Sequence, residues 1–96
     1  MGKKPRPKPR RLGKKLRQIR GALGLSQNEM LIRIRLDAQY SRSNLSNYEL
    51  DRREAPLPIL LGYARLGRIS VDVIVDDQLE LPDRLLKNST STRVTH

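Results

Sequence analysis

The sequence has no cysteine, no tryptophan and no phenylalanine, and its only histidine is His96. Without cysteine the chain cannot form disulfides or thiolate metal sites, and one histidine does not complete a metal site. A G-x-x-x-x-G-K phosphate loop is also missing, and no cysteine or internal histidine is present to act as a nucleophile or general base. We therefore expect no metal, no cofactor, no small-molecule substrate and no enzymatic activity.

Long apolar runs are absent as well. No segment approaches the roughly 18 apolar residues of a membrane span, and no apolar stretch of about 7 to 15 residues follows the basic N-terminus, as it would in a signal peptide. A chain of 96 residues forms one domain with a thin core. These features predict a soluble, cytoplasmic protein without membrane contact.

Charge of one sign dominates the composition. The chain has 20 lysines and arginines against 10 acidic residues, which gives a formal net charge of +10. Residues 1–20 contain ten basic residues and no acid, whereas residues 71–83 contain five acids and no base. Such a balance favours a polyanionic partner, such as nucleic acid or an anionic membrane surface.

The first eleven residues, MGKKPRPKPRR, combine three prolines with six basic residues. Proline removes backbone donors and like charges repel, so residues 1–11 are predicted to be a disordered basic arm. Three roles are open for this arm: binding of phosphates or of the minor groove of DNA, binding of RNA or another polyanion, and a simple increase in solubility.

Two helices are predicted after the arm. The first begins at Leu12, where leucines and isoleucine recur at helical spacing, and it ends at Gly24. The second begins at Gln27, because Ser26 and Glu29 have the spacing of a capping box, and it is expected to reach about Leu36.

A third helix is predicted from a Ser41 cap to about Leu50, and a fourth from Pro56 or Pro58 to Gly67. Residues 70–76 suit either a short helix or a strand; a helix is preferred because a lone strand would have no partner. The predicted domain spans residues 12–77, and residues 78–96 are predicted to be a polar tail. The expected core comprises Leu12, Leu16, Ile19, Leu45, Leu57, Leu60, Leu61 and Ile74, with Tyr48 at its edge.

The stretch SRSNLSNYE at residues 41–49 has an unusual polar face. Leu45 and Tyr48 can point to a core, and the opposite face carries Arg42, Ser43, Ser46 and Asn47. A face that only meets water is usually built from lysine and glutamate. Arginine and asparagine can instead pair bidentately with guanine and adenine, so this face is a candidate for reading DNA bases.

Three motifs together resemble the Cro and lambda-repressor type of helix-turn-helix family, often called the xenobiotic response element family. They are LSQNEM at 25–30, SRSNLSNYE at 41–49 and RREAPLPILLGYARLGRISVDVI at 52–74. The resemblance implies an all-α, five-helix helix-turn-helix bundle whose third helix enters the major groove of DNA.

By position, the resemblance implies base contacts from Arg42, Ser43, Ser46 and Asn47 and a phosphate contact from Gln27. Arg52 and Arg53, just past the third helix, are expected to contact phosphates as well. Two positions depart from the family pattern: Ser41 follows Gln27 by fourteen residues, a longer spacing than usual, and Asp51 stands where the family often has glycine.

The expected function is sequence-specific binding of double-stranded DNA, with repression of transcription by promoter occupancy. Many members of the family bind as dimers, and the sequence leaves the oligomeric state open, with a homodimer as one option. The alternatives are a protein-interaction module, such as an antitoxin-like partner that docks through its acidic segment at residues 72–83, and an RNA-binding role of the arm alone.

Overall fold

The computed structural model of the protein describes residues 10–86, which contain six α-helices and no β-strand. The all-α class predicted from the sequence is confirmed for this part of the chain, and residues 70–76 do include a helix. Residues 1–9 of the predicted arm and the last ten residues of the predicted tail lie outside the described residues. The helices are α1 (Leu12–Leu23), α2 (Gln27–Arg33), α3 (Arg42–Glu49), α4 (Leu57–Gly67), α5 (Val71–Val75) and α6 (Asp83–Leu86).

Two of the helices begin with capping boxes. At the start of α2, the amide of Glu29 donates to Ser26 Oγ over 3.1 Å and the amide of Ser26 donates to Glu29 Oε1 over 2.8 Å. Ser41 and Asn44 exchange the same two bonds at the start of α3. Both predicted starts are confirmed, and each box satisfies amides that a helix N-terminus leaves without a partner.

All six helices contribute side chains to the core, and α1 packs against α3, α4, α5 and α6. Leu16, Ile19, Leu45 and Ile74 are fully buried, as predicted. Three predicted core residues of α4 are less buried than expected, however, since Leu57 is 59% exposed while Leu60 and Leu61 are only partly buried. The buried positions of α4 are Ile59, Gly62, Tyr63, Ala64 and Gly67.

The sixth helix corrects the predicted polar tail. Leu81 and Leu85 are both 3% exposed, and α6 packs against α1. Pro82 precedes this helix and accepts hydrogen bonds from the amides of Leu85 and Leu86. Two leucines four residues apart thus give residues 78–86 enough apolar surface to join the core, so the compact unit extends at least to Leu86.

A buried lysine fixes the turn between α5 and α6. Lys15 is 1% exposed, and its Nζ donates to the carbonyls of Val73, Asp76 and Leu79 over 2.7, 2.9 and 2.8 Å. Burial, and after it the nearby charge of Arg11, lowers the pKa of Lys15. The three acceptors match the three protons of an ammonium group, so this charge is buried with every donor satisfied.

The end of the basic arm is held by the same acidic turn. The Asp77 carboxylate accepts from the amides of Arg10 and Arg11 over 2.8 and 3.1 Å, and the guanidinium of Arg11 forms an ion pair with Glu80 over 2.7 Å. The hydrogen bonds from these two amides lower the pKa of Asp77. Arg10 and Arg11 are therefore part of the folded unit, although the arm was predicted to run through both.

Four helices end in the same left-handed turn. After α1, α2, α3 and α4, one residue has a positive φ and the next amide bonds back to a carbonyl five residues earlier, as in the Schellman motif. Only one of the four is glycine; the others are Asp51 and two arginines, Arg35 and Arg68, at φ 62° and 59°. Because this turn follows Arg33, α2 ends three residues before the predicted boundary, and the connection to α3 takes up the long spacing between Gln27 and Ser41.

Arg68→Gly is expected to raise the free energy of unfolding by about 0.5 to 1 kcal/mol. A left-handed conformation costs a side-chain-bearing residue about 1 to 2 kcal/mol, from which the greater freedom of glycine in the unfolded chain is subtracted. Urea denaturation of the two proteins measures the difference. Gly24→Ala is the reverse control, since it places a Cβ at φ 70° and should lower the free energy; a loss of stability in Arg68→Gly would contradict the expectation.

Candidate nucleic-acid interface

The third helix has one buried and one outward face. Leu45, Tyr48 and Glu49 are 0, 8 and 1% exposed. Of the four residues predicted to read bases, Arg42 and Ser43 are exposed and Ser46 and Asn47 are partly buried. None of these four side chains has a hydrogen-bond partner within residues 10–86. Their donors and acceptors are therefore available to an external partner.

The buried face of α3 is anchored by Glu49, whose carboxylate is shared by three other helices. Arg20 of α1 donates from Nε to Oε2 over 2.7 Å and from Nη2 to Oε1 over 2.8 Å. Tyr63 of α4 donates to Oε2 over 2.6 Å, and Gln27 of α2 donates to Oε1 over 3.2 Å. Arg20 also donates to the carbonyl of Leu25. We call Glu49, Arg20, Tyr63 and Gln27 the Glu49 network.

The network keeps Glu49 ionised inside the protein. Burial by itself would raise the pKa of this carboxyl, but the hydrogen bonds from Arg20 and Tyr63 outweigh it, and the net pKa lies below the ordinary value. Burial and the neighbouring carboxylate raise the pKa of the Tyr63 hydroxyl, which therefore remains a donor. The charge pair and the two neutral donors leave no buried polar side-chain atom of the described residues without a partner.

The side chain of Gln27, the predicted phosphate ligand of α2, is partly engaged inside the protein. Its side chain is partly buried, and one amide hydrogen is directed to Glu49. The residue stands in the first turn of α2, directly after the Ser26 cap. Any contact of Gln27 with a partner would therefore use the remaining amide hydrogen or the amide oxygen, while the bond to Glu49 fixes the orientation of the side chain.

The turn after α3 is joined to the start of α1. The amide of Gly13 donates to Asp51 Oδ1 over 3.0 Å. A Cβ on residue 13 would lie 2.5 Å from the carbonyl oxygen of Glu49, so only glycine permits this approach. Asp51 thus accepts a left-handed φ of 60° and in exchange caps a free amide of α1, which glycine could not do.

Arg52 and Arg53 follow this turn directly. Both are exposed, and both backbone amides donate to the carbonyl of Asn47, over 2.9 and 3.3 Å. Neither guanidinium has an ion-pair partner in the described part of the chain. The two predicted phosphate ligands therefore present free positive charge at the C-terminal end of α3, whereas Arg42 presents it at the N-terminal end.

The connection before α3 packs on the helix. The rings of Tyr40 and Tyr48 meet edge to face, with centroids 6.3 Å apart and an interplanar angle of 74°. The amide of Tyr40 donates to the carbonyl of Leu36 over 3.0 Å, which closes a turn. The connection between α2 and α3, which is longer than in the family pattern, therefore ends in a folded turn. Its last side chain, that of Tyr40, packs against α3.

Four residues that position α3 were not predicted from the sequence: Arg20, Glu49, Tyr63 and Asn44. Asn44 had a detectable signal, because it follows Ser41 by three residues and completes a capping box. The other three are polar residues within helical segments, and such residues usually face solvent. Arg20 is 29 positions and Tyr63 is 14 positions from Glu49 in the chain, and only the three-dimensional fold brings both to its carboxylate.

Comparison with known proteins yields no significant match to a family model, a curated protein or a solved structure. No helix within residues 10–86 is long and apolar enough to cross a membrane. In the same residues no three side chains of histidine, cysteine, aspartate or glutamate are grouped so that they could hold a metal ion. The geometry and charge of this chain are thus the basis for assigning a function.

Glu49→Ala is expected to lower the free energy of unfolding by about 3 kcal/mol, because it leaves the largely buried guanidinium of Arg20 without its partner. Glu54→Ala, at an exposed acidic position, is the control and should change the free energy by less than about 0.5 kcal/mol. Equal effects of the two substitutions would contradict the anchoring role of Glu49. Urea denaturation provides the measurement.

Glu49 should also contribute to loss of stability in acid. Since its pKa in the folded protein lies below the ordinary value of 4.5, its contribution is complete above that pH and is lost as the pH falls through the folded-state pKa. The free energy of unfolding of Glu49→Gln should therefore fall less steeply below about pH 4.5 than that of the parent. Identical slopes in the two proteins would show that Glu49 is not held ionised.

Proposed function

We propose that the protein binds double-stranded DNA in a sequence-specific manner, with α3 as the element that reads bases. The observation that carries this proposal is the outward face of α3. It presents Arg42, Ser43, Ser46 and Asn47 without internal partners, on a helix whose other face is buried and hydrogen-bonded to its neighbours. Side chains of these types provide the donors and acceptors that distinguish base pairs in the major groove.

The fixed position of α3 supports the same function. Base readout requires that side chains reach the groove in a reproducible register, so the supporting residues must be immobile. Glu49 is bonded to three other helices, and Asp51 joins the end of α3 to α1. A solvated surface helix would not need such support.

The pairing of α2 with α3 supports a helix-turn-helix unit of the Cro and lambda-repressor type. Both helices begin with a capped N-terminus, and they pack against one another. In this type of unit the second helix of the pair enters the major groove and the first crosses the phosphate backbone. In the proposed complex Gln27 lies near a phosphate, and its bond to Glu49 links that contact to the position of α3.

The net charge of +10 supports a polyanionic partner. Arg52 and Arg53 are placed to bind phosphates beside the proposed reading helix, and the four basic residues within 1–9 add charge to the same chain. We propose repression of transcription by occupancy of a promoter as the biological role, with two copies binding one operator.

The alternative of an adaptor that docks through acidic residues 72–83 has less support. Asp77 and Glu80, which are in the middle of that segment, are engaged by Arg10 and Arg11 of the same chain. An external basic partner would have to displace these bonds.

Arg42→Ala and Asn47→Ala are each expected to cost about 1 to 3 kcal/mol of binding free energy on the preferred duplex and much less on random DNA. The preferred duplex is first obtained by selection from a random pool, and both affinities are then measured by fluorescence anisotropy. Only a specific site offers the base edges that these two side chains would contact, which is why the loss should depend on sequence.

Arg53→Ala should behave differently. It should lower the affinity for both duplexes by similar factors, because a phosphate contact contains no sequence information. Arg33→Ala removes the same charge from the exposed last turn of α2 and is the control for net charge. If Arg42→Ala and Asn47→Ala lower the affinity for both duplexes equally, or lower neither affinity, α3 does not read bases.

The affinity for DNA should fall with salt. If about 6 phosphates are neutralised, log affinity plotted against log salt has a slope near −5, and deletion of residues 1–9 should make it shallower by more than about 1. The deletion stops before Arg10 and Arg11, since their amides bind Asp77 and belong to the fold. A slope near zero for the intact chain would remove the nucleic-acid proposal altogether.

A further inference from the structure

A shallow groove runs along α4 beside the connection that follows α2. One half has a volume of about 250 Å³ and is lined mainly by Ile34, Leu36, Leu57 and Leu61. The second half has about 270 Å³. Leu57 is 59% exposed, so an apolar wall of this groove faces solvent in the free chain. None of the lining residues belongs to α3, which makes the groove separate from the proposed reading face.

The floor of the groove is set by the contact of Ile34 with Gly62. A Cβ on residue 62 would lie 2.8 Å from Ile34 Cβ, so glycine is needed for α4 to approach this closely. Both residues line both halves of the groove. The two depressions therefore adjoin where Ile34 packs against Gly62.

The rim of the groove is positively charged. Arg33, Arg35 and Arg65 all line it and all are exposed, and no carboxylate is among the lining residues of either half. None of the three guanidinium groups forms a hydrogen bond or ion pair with another residue of the described chain. An occupant that complements this surface needs apolar side chains for the walls and negative charge at the edges.

Arg35, which lies on this rim, has a strained backbone conformation. Its φ of 62° is left-handed, and glycine would be relaxed at that position. Arg68 has the same conformation at the end of α4 but does not line the groove. Backbone strain in an exposed, unpaired residue that lies against an apolar groove is consistent with a function for its side chain.

We propose that this groove docks an amphipathic helix of another protein, with apolar side chains along one face and carboxylates beside them. A helix presents such anchors at positions i, i+4 and i+7, which can reach two adjoining depressions. A small ligand suits them less well, because each depression alone, at about 250 and 270 Å³, is smaller than the roughly 300 to 1,000 Å³ of a usual ligand pocket. The proposal is independent of DNA binding by α3.

A second copy of this chain fits the groove less well. A two-fold contact would bring Arg33, Arg35 and Arg65 of both copies to the same interface, where like charges repel. The acidic segment of a neighbouring copy has Asp77 and Glu80 engaged internally. Nor does DNA suit the apolar walls, because phosphates gain nothing from contact with leucine and isoleucine.

A synthetic peptide tests the proposal on the full chain. It carries leucines at positions i, i+4, i+7 and i+11, glutamates between them and a fluorescein label, and its binding is followed by anisotropy. Leu57→Ser should weaken binding about tenfold, because it removes an apolar side chain from the contact. Arg35→Gly should weaken it about threefold, as expected for one exposed ion pair, while making the folded chain more stable. Amide shifts at residues 33–36 and 57–66 should report the contact by NMR.

Matched controls separate docking from general attraction to a basic chain. Ile32→Ser changes a residue that is also 59% exposed but does not line the groove, and Arg68→Gly relieves the same strain outside it; both should leave binding unchanged. Peptides with lysine for glutamate, or with serine for leucine, should not bind. Circular dichroism establishes that each variant is folded.

Four results would overturn the proposal. The first is an equal loss of binding in Arg35→Gly and Arg68→Gly, which would indicate non-specific charge attraction. The second is unchanged binding in Leu57→Ser. The third is a dimer in light scattering that Leu57→Ser dissociates, which would assign the groove to a second copy. The fourth is a set of amide shifts at 33–36 and 57–66 on addition of a DNA duplex, which would assign it to DNA.

Discussion

The arrangement of the four main helices depends on one buried carboxylate, that of Glu49. Its two oxygens accept four hydrogen bonds from α1, α2 and α4, so none of these helices can shift against α3 without breaking a bond in the core. Removing one partner of a buried ion pair lowers the free energy of unfolding strongly, whereas replacing the whole pair by apolar residues of similar size often leaves it unchanged. The contribution of such a network is therefore to the position of α3 more than to net stability, and position is what a recognition helix requires.

Much of the helical framework could be predicted from the sequence, because its signals are local. The capping boxes at Ser26 and Ser41 each lie within four residues, and the apolar spacing of α1 is regular. The orientation of α4 could not be predicted in this way. Its residues offer several apolar faces, and the face that is buried contains Tyr63, whose hydroxyl donates to the carboxylate of Glu49 on another helix. The buried face is therefore also the one that makes a polar bond to α3, and apolar spacing within α4 carries no signal for that bond.

The outward residues of α3 were easier to predict than the buried residues that fix the position of this helix. Helical spacing alone placed four polar residues on the outer face, and they do lie on it: Arg42, Ser43, Ser46 and Asn47. Gln27 illustrates the limit of an argument from position. Its place at the start of α2 was correct, but no local signal indicates that its amide is directed to a carboxylate 22 residues away.

The charge polarity of the sequence also serves the fold. Along the sequence the basic start and the acidic segment at 71–83 lie far apart, and the basic start is the part expected to meet a polyanion. In the structure they are in contact, because Arg11 pairs with Glu80 and Lys15 is enclosed by carbonyls of the same turn. Part of the positive charge near the N-terminus is therefore used to close the molecule, across 58 residues of sequence for Lys15 and Val73 and 69 for Arg11 and Glu80. The charge that is left for a partner is set by which guanidinium and ammonium groups remain unpaired, and those at Arg42, Arg52 and Arg53 are more informative about that partner than the total of +10.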